Sequence, residues 1–220
     1  RGQGLMPSQE PYTAMGFTQT GGGGGETIAP ALLSTTGALA PVDWVLVELR
    51  NAVDPSVIVA TRSCVVLRNG QVVSPAGGAV QFVGSVGPYH VAIRHRNHLG
   101  CMTAAAVSLS PIVTTIDLRQ ASTATWGTDA RRTSGSAMVL WTGNVVMNNA
   151  LRYTGASNDR DPILQAIGGS VPTGILAGYV NTDVNLDGLT KYTGASNDRD
   201  PILLNIGGSA PTSIRLEQLP

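Results

Sequence analysis

Asp183, Asn185 and Asp187 occupy alternate positions, and Gly188 follows directly. The string D-V-N-L-D-G has the D-x-N-x-D-G form that opens an EF-hand type calcium loop. Calcium is a hard cation that takes about 6–8 oxygen ligands at about 2.3–2.6 Å. Alternate side chains of a tight loop turn their oxygens inward, and glycine at the sixth position permits the sharp turn. The seventh position, Leu189, would add its backbone carbonyl. A carboxylate from the start of a following helix must then close the shell.

That helix is legible. D-P-I-L-L-N-I-G-G, from Asp200 to Gly208, begins with an acid and a proline, continues with apolar residues and ends in paired glycines. Proline is favoured in a first helical turn and glycine just past a last one. Asp198 and Asp200 stand where a carboxylate can cap the helix, ligate a cation or do both.

The same text occurs twice. Y-T-G-A-S-N-D-R-D-P-I-L runs from Tyr153 to Leu164 and again from Tyr192 to Leu203, an offset of 39 residues. Ahead of the first copy, Asn144, Val146, Asn148 and Asn149 stand where Asp183, Asn185, Asp187 and Gly188 stand in the second. Asn144 and Asn148 offer neutral oxygens, so the first loop has lost charge and should bind more weakly. Asp159 and Asp161 are its counterparts of Asp198 and Asp200. Without a metal, the repeat would be an Asx-rich turn that caps a helix.

D-V-N-L-D-G followed by D-R-D-P-I-L resembles the calcium-binding repeat of dockerins. The resemblance covers roughly the last 75–85 residues and implies a tandem pair of loop-plus-helix units holding two calcium ions. Asp183, Asn185 and Asp187 match the first three ligands, and Asp200 best matches the closing carboxylate. Here T-G-A-S-N-D separates the loop halves, so that Asp198 or Asn197 can ligate instead. The order of V-D-W-V-L-V-E-L-R, R-H-R-N-H-L-G and the repeats, with G-L-M-P-S-Q-E-P-Y-T-A-M-G-F ahead of them, looks like a C-terminal module of large secreted or surface proteins of Bacteroidota-like bacteria. That resemblance implies an extracellular or cell-surface place and carries no enzymatic activity.

Other reactive residues assemble less well. His90, His95 and His98 are close in sequence, but His90 and His95 alternate to opposite faces of a strand. They read as a strand-end cluster rather than a zinc site, which wants about four converging ligands. No nucleophile elbow is present, and carboxylates outside the repeats are sparse, so no enzyme is expected. Cys64 and Cys101 can form one disulfide, which an extracellular place favours, or remain two buried thiols.

The elements that position these residues change character along the chain. Residues 1–40 have no core pattern and contain the flexible-linker composition Gly21–Gly25. Such an arm needs a surface to lie on, either its own domain or a neighbouring copy. Residues 41–120 alternate as short strands with turn punctuation, including Asn69–Gly70, and predict an antiparallel β-sandwich of immunoglobulin-like or transthyretin-like type. Residues 121–135 read as a connector, and 136–220 as the tandem repeat with short helices. The fold class is therefore mainly β.

Lys and Arg together number 14, as do Asp and Glu, for a net charge of zero. That balance argues against nucleic acid as the main partner. No apolar run reaches the ~18–20 residues that span a bilayer, and the first residues show no signal-peptide pattern. The leading expectation is a structural subunit of an extracellular bacterial filament or surface layer. In it, E-T-I-A-P-A-L-L-S adds as a strand to a neighbouring copy through Ile28, Leu32 or Leu33, and removal of residues 1–40 leaves a folded monomer. The second expectation is a dockerin-like module that attaches a larger protein to a surface partner. Surface glycans are further candidate partners.

Overall fold

The computed structural model describes residues 5–220. It is mainly β, with antiparallel sheets and few short helices. The chain divides into two compact units. Among the described residues the first comprises 5–95, Gly100–Val139 and Gln218–Pro220. The second comprises Arg96–Leu99 and Leu140–Glu217. No helix among the described residues is long and apolar enough to cross a membrane.

After a helical turn α1 (Pro30–Leu33) come β1 (Pro41–Asn51), β2 (Ile58–Leu67), β3 (Val72–Val73), β4 (Gly87–His95), β5 (His98–Met102) and β6 (Val107–Leu109). They form one sheet in the order β3-β2-β1-β4-β5, with β6 also on β4. β1 is central, and alternation gives it two buried faces. Val45, Val47 and Leu49 pack with Ala60, Cys64 and Val91. Trp44, Leu46, Glu48 and Arg50 face the other way and are also buried. On that face Glu48 and Arg50 form an ion pair at 2.7 Å, and Arg50 also donates to the carbonyls of Pro55 and Pro220.

The N-terminal arm lies on its own sheet unit, the first of the two surfaces expected for it. Tyr12 donates to the carbonyl of Trp44, and the Trp44 indole donates to the carbonyl of Pro7. Ile28 is 2 % exposed within its own unit, and Leu32 and Leu33 sit half-buried in α1 rather than in an extended strand. The amide of Thr61 on β2 donates to the carbonyl of Thr20, and that of Ser63 to Glu26. The arm thus occupies an edge of β2 that would otherwise offer unpaired backbone groups. Glu10 fixes its turn by accepting from the amides of Tyr12, Thr13 and Gly25. Burial alone would raise the Glu10 carboxyl, but these bonds outweigh it and hold the group below the usual range.

The five glycines are not a linker. Gly21, Gly22, Gly24 and Gly25 have positive φ. Gly23 lies so close to β2 that a Cβ there would stand 2.3 Å from Thr61 Oγ1 and 2.4 Å from its carbonyl oxygen. Overpacking of this kind costs about 1–3 kcal/mol. Gly23→Ala is expected to lower stability by about 2 kcal/mol, read by urea denaturation, whereas Gly16→Ser, in open space, keeps only the backbone cost of its positive φ.

Cys64 and Cys101 are free thiols, which corrects the expected disulfide. Cys64 is on β2 and Cys101 on β5, with β1 and β4 between them. Three spacings of about 4.8 Å far exceed the Cα separation of about 4.4–6.8 Å that a disulfide spans. Burial pushes the Cys64 thiol well above its ordinary value.

The expected connector is not free-running either. Thr125 bridges to Thr103, the Trp126 amide donates to the carbonyl of Met102, and β7 (Arg132–Ser134) pairs with β8 (Ala137–Val139). These residues belong to the sheet unit, so the repeat unit begins at Leu140 rather than 136.

Candidate metal centre in the tandem repeat

The repeat unit is built from β9 (Ala150–Arg152), α2 (Asp161–Ala166), β10 (Ile175–Ala177), β11 (Leu189–Lys191), α3 (Arg199–Asn205) and β12 (Ile214–Leu216). Its pairing is reciprocal. β9, at the head of the first copy, pairs with β12, at the tail of the second. β10, the first tail, pairs with β11, the second head. The registers correspond at the sequence offset: Ile214 opposes Arg152 as Ile175 opposes Lys191. Thr154 donates to the carbonyl of Pro211, and Thr193 to that of Pro172. The core repeats the symmetry, with Val145 and Val184, Ile163 and Ile202, and Tyr153 and Tyr192 in one cluster.

A turn from elsewhere in the chain completes this unit. Asn97, between β4 and β5, donates through Nδ2 to the carbonyls of Asn181 and Asp183. Its own carbonyl accepts from the amides of Gly143 and Asn144. It therefore ties together the lead-ins of both loops. Arg96 is fully buried, donates to the carbonyl of Val180 and stacks over Tyr179 at 4.4 Å.

The second loop is wound by its own side chains. Asp183 Oδ2 accepts from the amide of Gly188 at 3.0 Å, Asn185 Oδ1 from Asp187 at 2.8 Å, and Asp187 Oδ1 from Leu189 at 2.9 Å. Leu186 turns through the left-handed region with φ 62°, and Gly188 follows with φ 92°. The three residues named from the D-x-N-x-D-G pattern are thus brought into one tight turn, each with one oxygen on a backbone N–H. Asp183 is buried and Asp187 exposed. Oxygens of this kind are the donors that a hard cation takes.

The residues expected to close the shell do something else. Asp198 is fully buried, and Oδ1 accepts from Val184 and Asn185 while Oδ2 accepts from Lys191. Asp159 accepts in the same way from Val146 and Arg152. Burial pushes both carboxyls up to about 6, against the lowering effect of these amides. Each carboxylate binds its loop to the following strand by hydrogen bonds. Asp200 is exposed and accepts from the side chain of Asn197 at 2.8 Å, as Asp161 does from Asn158.

Asn197 and Asn158 are the functional residues that the sequence reading underweighted. Asn197 Oδ1 accepts from the amide of Asp200, so the asparagine caps α3 and the aspartates do not. Asn158 does the same for α2. The signal was available as Asn followed three residues later by an acid, a variant of the capping box.

The first loop keeps the frame. Met147 has φ 56°, and Asn148 Oδ1 accepts from Ala150 at 3.0 Å. Asn144 is buried, and its Oδ1 has no hydrogen-bond partner among the described residues. No cluster of three or more His, Cys, Asp or Glu side chains placed to hold a metal occurs among the described residues. The donor set of the second loop draws instead on two Asp, one Asn and backbone. The histidines do not converge: His95 pairs with Asp43 at 3.2 Å, and His90 bonds the carbonyl of Thr103.

Large apolar side chains of the repeat unit are also exposed, namely Val171, Ile175, Leu204, Ile214 and Leu216. No protein family, curated protein or solved structure matches this chain.

Proposed function

We propose that this chain is a non-catalytic, calcium-dependent binding module of a larger secreted or cell-surface protein, of dockerin-like character. The winding of the loop from Asp183 to Leu189 by three side-chain-to-amide hydrogen bonds carries the reading. Calcium would supply charge neutralisation and order to that turn, so that binding energy becomes folding energy. The exposed apolar side chains around the paired strands supply a surface for a partner. On this reading the sheet unit is a sandwich-like spacer of immunoglobulin or transthyretin character, with the arm as part of its second layer.

A filament subunit is the second reading, and one observation favours it. The arm meets its sheet as a separate segment, and a neighbouring copy could supply the same contacts by exchange. That assembly predicts molecular size rising with protein concentration in light scattering.

Calcium is expected to raise the melting temperature of chelator-treated protein. At a free concentration about 100-fold above Kd, the gain is about 2.7 kcal/mol, or roughly 5–10 °C for a chain of this size. The measurement is a thermal melt with and without a chelator, alongside calorimetric titration. An unchanged melt with no heat of binding sinks the calcium reading.

A further inference from the structure

The two loops share a backbone frame and differ in what they can hold. At matched positions, Val146 faces the role of Asn185, Asn144 that of Asp183, Asn148 that of Asp187 and Asn149 that of Gly188. The frames correspond in their left-handed residues, Met147 and Leu186, and in the bonds from Ala150 to Asn148 and from Leu189 to Asp187. They correspond again in the closing carboxylates, since Val146 and Asn185 both donate to an aspartate, Asp159 and Asp198. The frames part at the sixth position, where Gly188 is left-handed at φ 92° and donates to Asp183, whereas Asn149 is not left-handed, so the loops differ in ligand chemistry and at that one turn.

Charge decides between the loops. The second carries two carboxylates, Asp183 and Asp187. The first, from Asn144 to Ala150, carries no ionisable side chain, and Val146 offers hydrocarbon where an oxygen is needed. The nearest matched carboxylate, Asp159, has both oxygens on backbone amides. A divalent ion in the first loop would meet only neutral oxygens. Burying such a charge without a counter-ion is strongly unfavourable, and site affinity falls with the count of charged ligands. The buried Asn144 oxygen still requires a donor, and a water molecule suits it because it is neutral.

We infer that the tandem repeat takes one divalent cation, in the second loop, and that the first loop is its metal-independent counterpart, held by amide and carboxylate hydrogen bonds alone. This rests on the calcium reading above. It departs from the two-ion arrangement that the dockerin resemblance implies. The module is then symmetric in strand pairing and asymmetric in loop chemistry, with the cation stiffening one half.

Calorimetric titration of the full chain with calcium chloride, after chelator treatment, tests it. One ion per chain is expected, and Asp183→Ala removes the binding. Two ions per chain overturn the inference while leaving the calcium reading in place. No binding at all overturns both. A variant carrying N144D, V146N, N148D and N149G gives the first loop the ligands of the second and is expected to take two ions. If it melts cooperatively yet still takes one, the argument from ligand chemistry is wrong. If it fails to fold, the stoichiometry of the unaltered chain decides alone.

Discussion

A chain that begins at Ala29 is expected not to fold. The missing segment contains Tyr12, Ile28 and Met6, buried to 0 %, 2 % and 6 % exposure. Burial of a large apolar side chain contributes about 1.5–3 kcal/mol, so the three together contribute about 4.5–9 kcal/mol. That is comparable to the ~5–15 kcal/mol by which a domain is stable. The loss reaches further, because Trp44 is then uncovered and its indole loses the carbonyl of Pro7. Thr61 and Ser63 on β2 lose Thr20 and Glu26 as acceptors. Circular dichroism should show no cooperative melt, and proton NMR no dispersed methyl signals. A truncated chain that melts within a few degrees of the intact one would falsify the placement of the arm as part of the sheet unit. Adding residues 5–28 back as a separate peptide is expected to restore some structure, because the contacts are non-covalent.

The second large effect is expected at Asp198 and Asp159. Asp198→Ala leaves the buried amide of Val184 and the partly buried amides of Asn185 and Lys191 without their acceptor. Each orphaned buried donor costs about 1–3 kcal/mol. Solvent entry through the cavity relieves part of this, so the expected loss is on the order of 3–5 kcal/mol. Asp159→Ala should cost about as much, since its carboxylate faces the matched amides of Val145, Val146 and Arg152. Asp200→Ala is the control. Its exposed carboxylate accepts from the Asn197 side chain and lies 3.4 Å from Arg199, and loss of such surface contacts costs about 1 kcal/mol or less. Urea denaturation measures all three. If Asp198→Ala and Asp200→Ala lose the same amount, the buried carboxylate is not the closure of the loop.

What the sequence disclosed depends on how local the cause is. The strands from β1 to β6 follow from alternation, and the hairpin turn at Asn69–Gly70 from residues that favour left-handed φ. The helices α2 and α3 follow from proline near the start and paired glycines after the end. The offset of 39 between copies is plain in the text. The head-to-tail exchange of strands is not, because β9 with β12 and β10 with β11 are chosen by a surface that exists only once both copies have formed. The insertion of Asn97 between the two lead-ins is equally hidden, since hydrogen bonds across 84 and 86 residues leave no local trace. The disulfide expectation failed because strand order decides which cysteines meet. The glycine run was misread because flexibility and close approach call for the same residue. At the candidate site, the pattern from Asp183 to Gly188 was readable, whereas the division of labour among Asn197, Asp198 and Asp200 required their hydrogen bonds.

The reciprocal strand exchange constrains how such a sequence can be divided. A single copy would carry an open head and an open tail, each lacking its antiparallel mate. Two copies close the circuit and leave neither end over. Each tail is taken up by the next head and the last tail by the first head, so neither copy is complete without the other. A chain cut between the copies is therefore expected to leave β9 and β10 without antiparallel mates and to lose the order of both loops together.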